Sequence, residues 1–232
     1  MRTVAETGST NADMLELARS GVAEGLWLRA ERQTLGRGRQ GRAWESPIGN
    51  CYATNLVRLR PTDPPAATLA LVAAVALAEA VSVYTRRPSP RLKWPNDLLI
   101  DGAKLSGILL ERADDAVVIG IGVNLAHHPD LAERPTTSLA AHGVVVAPEN
   151  FIDTLADSVA RWLSRWRSEV LAPVRQRWLD LAHPIGTALT VRLPDGTAID
   201  GLFDGLDSDG ALILRLADAT RRVIHAADVF LL

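Results

Sequence analysis

The chain has 232 residues, of which 47% are hydrophobic, enough for the core of one large domain or of a medium and a small one. Its formal charge of -2 at pH 7 argues against a basic nucleic-acid or membrane-surface protein, since either role would need a local basic patch. The single cysteine, Cys51, excludes an internal disulfide framework, and the amino terminus lacks the pattern of a signal peptide. We therefore expect a cytoplasmic protein.

Lysine is scarce in this sequence. Lys93 and Lys104 are its two lysines, and all its remaining Lys or Arg residues are arginine. A bias in nucleotide composition accounts for the excess of arginine, but not for the position of both lysines within one stretch, residues 92–111. We predict that a compact ammonium group is needed there and that a planar guanidinium would not fit.

The first predicted element is a short helix that opens with Gly8-Ser9-Thr10-Asn11-Ala12-Asp13. Met14, Leu15, Leu17 and Ala18 have the spacing of its buried face, and Gly21 ends it. Thr10 and Asp13 have the spacing of a capping box. Strands are predicted over residues 26–30 and 52–59, with the prolines after residue 60 ending the second.

Between these strands lies the segment Gly36-Arg37-Gly38-Arg39-Gln40-Gly41-Arg42, in which flexible glycines alternate with anion-binding guanidiniums. It also fits the pattern G-x-G-x-x-G, but a dinucleotide-binding loop should open a helix and be followed by an acid about 20 residues later. Here the segment runs into Pro47, and Arg58 and Arg60 follow at that distance. A kinase lid would need companion motifs that the sequence lacks. The arginines better suit a mobile clamp that closes over a phosphate and excludes water.

Residues 68–84 are predicted to form a helix packed on most faces, since Leu69, Val72, Leu77 and Val81 lie among alanines. The most apolar stretch, residues 66–78, is too short for a membrane span, so the helix is predicted to be buried in the protein. A hairpin follows, in which two apolar runs are joined by Asp101-Gly102. In a regular two-residue register Leu99 faces Lys104 and Asp97 faces Ser106, so Asp97 and Lys104 lie on one face as diagonal neighbours. Taken alone, this pair could be an ordinary cross-strand ion pair.

The strand predicted over residues 117–124 contains Gly120 and Gly122, whose missing side chains leave room for a ligand or for a neighbouring helix. Helical spacing continues over residues 149–171 and 174–182, with tryptophans on the apolar face. The histidines show no metal-ligand spacing, so no metal site is predicted. After Pro184 short strands alternate with turns, which predicts two domains, residues 1–184 and residues 185–232.

Four motifs in this order resemble the signature set of the biotin protein ligases, the biotin-[acetyl-CoA-carboxylase] ligases. They are residues 36–42, Lys93-Trp94-Pro95-Asn96-Asp97, residues 104–111 and Gly120-Ile121-Gly122-Val123-Asn124. The resemblance runs from about Gly8 to the end. It implies an α+β fold, with a central mixed or antiparallel sheet and flanking helices in a class II synthetase-like catalytic domain, and a small carboxyl-terminal SH3-like β-barrel. The amino-terminal DNA-binding domain of some members is not expected here, and neither is DNA binding.

The resemblance also implies a two-step reaction. Biotin and ATP, the latter accompanied by Mg²⁺, form biotinyl-5'-adenylate and pyrophosphate. A lysine of a biotin carboxyl carrier protein, from acetyl-CoA carboxylase or a related carboxylase, then takes the biotinyl group and releases AMP. No membrane partner is expected, and a homodimer is left open because some family members dimerise.

Residue roles follow from the same resemblance. The implied catalytic residues are Lys104, which would bridge the biotin carboxylate and the α-phosphate, Arg39, and Asp97, which would orient or deprotonate the incoming lysine. The implied biotin-binding residues are Ser9, Thr10, Asn11, Gln33, Gly36, Arg37, Arg39, Lys104, Gly107 and Gly120. The implied ATP- or adenylate-binding residues are Arg37, Arg39, Arg42, Trp44, Asn96, Lys104, Gly122 and Asn124.

The sequence leaves two alternatives open. A lipoate-protein ligase would share the fold and the chemistry, although the Lys-Trp-Pro-Asn-Asp run favours biotin. A non-catalytic nucleotide- or RNA-binding module would use the arginine segment alone, and its binding would weaken with salt.

Overall fold

The computed structural model describes residues 1–85, 88–131 and 134–232. Within them a seven-stranded sheet is made of β1 Arg2–Thr7, β2 Trp27–Gln33, β3 Cys51–Arg58, β4 Arg91–Lys93, β5 Asp97–Ile100, β6 Ala103–Ala113 and β7 Ala116–Val123. Four α-helices accompany it: α1 Thr10–Arg19, α2 Leu69–Tyr84, α3 Pro148–Glu169 and α4 Ala172–Leu181. This arrangement confirms the predicted α+β class.

The sheet is mixed, with strand order β1-β2-β3-β7-β6-β5-β4. β1 and β2 are parallel because α1 crosses over between them, and the other neighbours are antiparallel. The edge strands β1 and β4 were not predicted. β4 has only three residues, and β1 is largely exposed, so neither shows a clear apolar alternation.

Side chains that alternate along β3 and β7 give the sheet two different faces. Ala53 and Ile119 point into the main core, which includes α2, α3 and α4, whereas Leu56 and Val118 point towards α1. Because α1 is short, it covers only part of its face. Beyond it the sheet surface carries glycines, and a cleft lies there.

The predicted buried helix is α2. The stretch Ala66–Tyr84 is long and apolar enough to cross a membrane by length and composition alone, but most of its side chains are buried in the main core. The predicted tryptophan stripe is also core, since Trp162, Trp166 and Trp178 are all buried. The helix predicted over residues 149–171 ends at Glu169, and α4 is a separate helix that begins after Val170, whose φ is 57°.

Two local predictions were wrong. The N-cap of α1 is Ser9 rather than Thr10, and no side chain in the described part of the chain caps the helix, because the Thr10 hydroxyl donates to Gln33 and Asp13 accepts from Thr7. In the hairpin, Asp97 pairs with Gly107 instead of Ser106. Leu105 is an extra residue on β6, a β-bulge that shifts the register by one position.

The carboxyl-terminal part is a five-stranded antiparallel sheet of β8 Ala188–Arg192, β9 Ala198–Leu206, β10 Leu212–Arg215, β11 Arg221–Ile224 and β12 Asp228–Leu231, in the order β11-β10-β9-β8-β12. It packs against the larger part of the chain. The ring of Phe203 lies edge-on to Trp178, and the indole of Trp94 donates to the carbonyl oxygen of Gly210 at 3.1 Å. β12 lies at the rim of the cleft, which Asp228 and Phe230 help to line.

Candidate active site

A cleft of about 280 Å³ lies over the uncovered part of the large sheet. It collects side chains from α1, β2, the arginine segment, the β4–β6 region, β7 and β12. Of the residues assigned from the sequence, the structure places these in its lining: Ser9, Thr10, Asn11, Gln33, Arg37, Arg39, Arg42, Trp44, Asn96, Asp97, Lys104, Gly107, Gly120 and Gly122. Gly36 and Asn124 are not among the lining residues.

One end of the cleft is a network of neutral hydrogen-bonding groups at the start of α1. The oxygen of the Gln33 side chain accepts from the backbone nitrogen of Thr10 at 2.9 Å and from its hydroxyl at 3.1 Å. The Gln33 amide nitrogen in turn donates to Ser46 at 3.1 Å. The amide orientation of Gln33 is therefore fixed by its partners. Hydroxyl and amide dipoles held in this way suit a neutral polar ligand such as a urea.

Thr54 supports this network from beneath, and the sequence analysis missed it. Its side chain is fully buried on β3, and its hydroxyl lies 2.8 Å from the Thr10 hydroxyl and 2.7 Å from the Asn11 side-chain oxygen. A threonine inside a strand at an otherwise apolar position was the available signal. The other side of Asn11 is held by Glu111, whose carboxylate accepts from the Asn11 amide at 2.9 Å.

The glycines of β6 and β7 are required by close approach of other side chains. A β-carbon on Gly120 would lie 2.1 Å from the Asn11 oxygen, and one on Gly122 would lie 2.6 Å from the indole of Trp44. At Gly107 it would come to 3.2 Å from both Lys104 and Trp44. The sequence left open whether a ligand or a neighbouring helix explains these glycines. In the structure Asn11 of α1 and the Trp44 ring occupy the space.

The arginine segment forms a small hairpin across the mouth of the cleft. The backbone nitrogen of Trp44 donates to the carbonyl of Gly36 at 2.9 Å, and that of Gly38 donates to the carbonyl of Arg42 at 2.8 Å. Gly41 has a positive φ of 71°. Gly36 is needed for a different reason, because a β-carbon there would lie 2.5 Å from the carbonyl oxygen of Trp44. Gly36 thus shapes the hairpin and does not itself line the cleft.

Each arginine of the segment has a partner. Arg37 forms an ion pair with Glu111 at 3.1 Å, and Arg39 donates to the backbone carbonyl of Ala227 at 3.2 Å. Arg42 forms an ion pair with Asp228 at the start of β12. The segment is thus tied to the rim on both sides, with two of its three guanidiniums joined to the carboxyl-terminal sheet.

At the other end of the cleft, the carboxylate of Asp97 lies between the chain's two lysines. Its Oδ1 is 2.5 Å from the Nζ of Lys104, and its Oδ2 is 3.0 Å from the Nζ of Lys93. The predicted placement of Asp97 and Lys104 on one face is therefore confirmed. All three side chains are largely buried, and Lys93 also donates to the carbonyl of Val229 on β12 at 2.8 Å. The peptide bond between Trp94 and Pro95 is cis.

The electrostatics of this triad are a balance between burial and attraction. Burial raises the pKa of Asp97, but the ammonium groups of Lys104 and Lys93 outweigh it and hold the pKa below its ordinary value. Burial lowers the pKa of Lys104, and the Asp97 carboxylate opposes that effect in part. A carboxylate with a lowered pKa is a poor proton acceptor. Asp97 is therefore better suited to orienting an amine than to deprotonating one.

Trp44 bridges the hairpin and the triad. The Nζ of Lys104 lies 5.5 Å from the centre of its ring, within cation–π range. The indole nitrogen is buried, and it has no hydrogen-bond partner in the part of the chain that the structure describes. A buried donor without a partner is unfavourable, so an acceptor supplied by a ligand would stabilise this arrangement.

The two asparagines assigned to nucleotide binding differ. Asn96 lines the cleft, and its amide donates to the carbonyl of Ile108 at 2.8 Å. Asn124 is 3% exposed and donates to the carbonyl of Thr137 at 3.0 Å. Its amide holds the loop after β7, so the geometry does not favour the ligand contact that was expected of Asn124.

The cleft also holds lining residues that were not assigned from the sequence: Lys93, Arg134, Arg192, Asp228 and Phe230. Three of them belong to the carboxyl-terminal sheet, where no sequence motif stood out.

Within residues 1–85, 88–131 and 134–232 no group of three or more His, Cys, Asp or Glu side chains could hold a metal ion.

Comparison with known proteins agrees with this geometry. The model of the Biotin/lipoate A/B protein ligase family matches residues 6–124, and that of the Biotin protein ligase C terminal domain matches residues 185–232. The chain is 43% identical to a biotin--[acetyl-CoA-carboxylase] ligase of Paracoccus denitrificans, with 98% of each chain covered.

Solved structures show the same fold. The biotin protein ligase from Aquifex aeolicus in complex with biotin and ATP superposes with a TM-score of 0.88 at 24% identity, covering 100% of this chain and 98% of the other. The biotin protein ligase from Leishmania major in complex with biotinyl-5-AMP has a TM-score of 0.69 at 27% identity, covering 97% and 98%.

The fold and the cleft thus define a ligase. The chain belongs to the Biotin/lipoate A/B protein ligase family, and within it to the biotin protein ligases.

Proposed function

We propose that this protein biotinylates a specific lysine of a biotin carboxyl carrier protein, with biotinyl-5'-adenylate as the intermediate. The observation that carries the proposal is the Lys104 ammonium, buried in the cleft 2.5 Å from Asp97 between the neutral network of α1 and the arginine hairpin. Such a cation is placed to act on a carboxylate and a phosphate together.

In the first step a carboxylate oxygen of biotin attacks the α-phosphorus of MgATP. The bond from that phosphorus to the bridging oxygen breaks, and pyrophosphate leaves. Lys104 would contact both reacting anions, while Arg39 and Arg37 would exchange their present protein partners for phosphate oxygens. In the described residues Mg²⁺ has no cage of its own, so it would enter with the triphosphate.

Recognition of the two substrates would divide along the cleft. Ser9, Thr10 and Gln33 would bind the neutral head group of biotin, next to Gly120. The adenylate would lie beneath the hairpin, where the indole nitrogen of Trp44, which has no hydrogen-bond partner among the described residues, can donate to it. Arg42 would reach the phosphate side, and Gly107 and Gly122 would allow the ligand and Trp44 to lie close to the sheet.

In the second step the neutral amine of the carrier lysine attacks the acyl carbon of the adenylate. A carbon–nitrogen bond forms, the bond from the acyl carbon to the phosphate oxygen breaks, AMP leaves with the electron pair, and the proton lost by nitrogen passes to solvent. Asp97 would orient the amine by accepting a hydrogen bond from it. We further propose that residues 1–184 act as the catalytic domain and residues 185–232 as a smaller domain that closes one side of the cleft through β12.

The test is release of pyrophosphate from MgATP by the purified protein with biotin, with lipoate or with neither. We expect release that requires biotin, followed by gain of one biotinyl group on a carrier protein. A carrier whose acceptor lysine is replaced by arginine is the matched control. Release that requires lipoate would identify a lipoate-protein ligase. Absence of release, together with salt-sensitive retention of RNA, would identify a binding module.

A further inference from the structure

Lysine side chains of the enzyme itself lie in the cleft, and they carry the same reactive group as the carrier lysine that is proposed to accept the biotinyl group. The sequence contains two lysines, Lys93 and Lys104, and both line the cleft. If the adenylate forms beside Lys104, as the proposed function requires, then the amine nearest to its activated acyl carbon belongs to the enzyme itself.

Proximity makes this amine a strong competitor. Groups held in reactive geometry can show effective concentrations of about 10⁵–10⁸ M, far above the concentration of any carrier protein. An amine attacks only when it is neutral, since the ammonium form has no lone pair. The enzyme can therefore escape acylation only if the Lys104 nitrogen stays protonated or is turned away.

We propose that Asp97 protects Lys104, and with it Lys93, from acylation by the adenylate bound in the same cleft. This role is in addition to orienting the carrier lysine, and it rests on the proposed function. Asp97 is 6% exposed and divides its two oxygens between the two ammonium groups, at 2.5 Å and 3.0 Å. An ion pair held out of water keeps the proton on the nitrogen and holds that nitrogen beside the carboxylate.

The surroundings show why this carboxylate is needed. Burial favours the neutral form of Lys104, and the positive charges of Arg134 and Lys93 favour it further, whereas Asp97 favours the ammonium. Of the three charged groups Asp97, Arg134 and Lys93, Asp97 is the one that stabilises the ammonium form of Lys104. Without it, the pKa of Lys104 would fall further. Each unit of fall raises the neutral fraction about tenfold while the ammonium form still predominates.

The suppressed reaction is balanced in the same way as the normal one. The neutral Nζ of Lys104 would attack the acyl carbon, forming an amide and breaking the bond to the phosphate oxygen. AMP would leave with the electron pair, and the proton lost by nitrogen would pass to solvent. The enzyme would then carry a biotinyl group on its own catalytic lysine and could not turn over again.

The experiment supplies ready-made biotinyl-5'-adenylate, so that it does not depend on the first step. Wild-type protein, Asp97→Asn and Asp97→Glu are each incubated with it at neutral pH without a carrier. Peptide mass spectrometry then finds which lysine has gained a biotinyl group. We expect an adduct on Lys104 in Asp97→Asn at least about tenfold above wild type, and near wild-type labelling in Asp97→Glu, which retains the charge.

Two controls make the readout specific. Labelling of the chain's α-amine measures adenylate that has escaped into solution, and it should be equal in all three proteins. The double variant Asp97→Asn with Lys104→Arg should lose the adduct, because a guanidinium remains protonated. Equal labelling of Lys104 in wild type and Asp97→Asn would overturn the proposal, as would an unlabelled Asp97→Asn that retains the adenylate.

Wild-type protein supplies a second test should Asp97→Asn fail to fold. Raising the pH removes protons from Lys104 without any substitution, so labelling of Lys104 by retained adenylate should increase about tenfold per pH unit. Flat labelling across that range would reject the protective role. Retention of the adenylate is measured separately in every protein. A wild type that does not retain it would contradict the proposed function, which distinguishes that failure from failure of the present inference.

Discussion

Gly122 and Trp44 are in contact across the cleft, so closely that a β-carbon on Gly122 would lie 2.6 Å from the indole nitrogen. The contact joins β7 to the end of the arginine hairpin. It also determines the depth at which the indole sits, with Lys104 5.5 Å from the ring centre. The absence of a side chain at Gly122 thus sets the position of the indole ring, which we propose contacts the nucleotide.

Gly122→Ala should push Trp44 out of the cleft. Overpacking of this kind costs about 1–3 kcal/mol, and we expect the KM for ATP to rise about tenfold, equivalent to about 1.4 kcal/mol of binding. The KM for biotin should change much less, because Thr10 and Gln33 lie at the other end. Gly8→Ala is the matched control, since a β-carbon there would meet, among the described residues, only Leu35 at 3.8 Å. An unchanged KM for ATP in Gly122→Ala would contradict the assignment of Trp44.

Lys104→Ala should reduce adenylate formation by about 10²–10³, the scale of removing one preorganised charged donor. Biotin-dependent release of pyrophosphate measures that step alone. Lys104→Arg keeps the charge, but its larger planar head does not match the position 2.5 Å from Asp97 and close to Gly107, so it should not restore the rate. Near-normal release by Lys104→Ala would remove Lys104 from the mechanism.

The hairpin shows how far the sequence could predict the site. Asp101-Gly102 and the apolar runs beside it predicted the turn and its strands, and side-chain parity placed Asp97 and Lys104 on one face. The bulge at Leu105 could not be predicted, because it has no local sequence signal. It shifts Asp97 opposite Gly107.

Contacts distant in the chain were also beyond a single sequence. The hydrogen bond from Lys93 to Val229 joins residues that are 136 positions apart in the chain. Nothing in the sequence around Asn124 indicates that its amide donates to the carbonyl of Thr137. Thr54 lies inside a strand that the sequence predicted. Its hydrogen bonds to Thr10 and Asn11 depend on which face of the sheet it occupies and on the proximity of α1, and only the folded chain determines both.

Thr54→Val should test that support. The change preserves the shape of the side chain but removes a hydroxyl that bonds to Thr10 and Asn11. Leaving a buried polar group without its partner costs about 1–3 kcal/mol, which urea unfolding would measure, and the KM for biotin should rise because Thr10 loses its orientation. Thr190→Val is the control. Its hydroxyl bonds to Asp200 in an exposed position, so its free energy of unfolding should change by about 0.5 kcal/mol or less. Equal effects of the two variants would argue against a special role for Thr54.

Asp228→Asn should loosen the arginine hairpin at its carboxyl-terminal attachment. The ion pair with Arg42 is partly exposed, so it contributes about 0.2–1 kcal/mol, which allows up to about a fivefold rise in the open population. Trypsin cleavage within residues 37–42 should accelerate to that extent, and saturating biotin with ATP should slow it again. Asp218→Asn, in an exposed turn of the same sheet, is the control and should leave the cleavage rate unchanged. Faster cleavage in the control as well would show that the sheet, rather than the ion pair, had loosened.

Glu24 should make the fold sensitive to acid. Hydrogen bonds from Arg167, with further bonds from the backbone nitrogen and side chain of neighbouring arginines, lower the pKa of Glu24 to about 2. A group whose folded pKa is depressed stabilises the fold above its ordinary pKa, here 4.5, and that contribution is lost as the pH falls towards the folded value. Arg167 on α3 binds both carboxylate oxygens of Glu24, at 3.0 Å and 2.9 Å. Protonation of Glu24 therefore weakens a contact between α3 and the segment that precedes β2.

Glu24→Gln should therefore lower the free energy of unfolding most at about pH 7 and progressively less below 4.5. Urea unfolding of the wild type and of Glu24→Gln across this pH range gives the difference in free energy of unfolding directly. The other carboxyl groups are present in both proteins, so their effects cancel in that difference. Glu169→Gln is the control, because its partner Arg165 lies on the same helix and the carboxylate is exposed. A difference between wild type and Glu24→Gln that stays constant from neutral pH to about 2 would mean that the charge of Glu24 does not stabilise the fold.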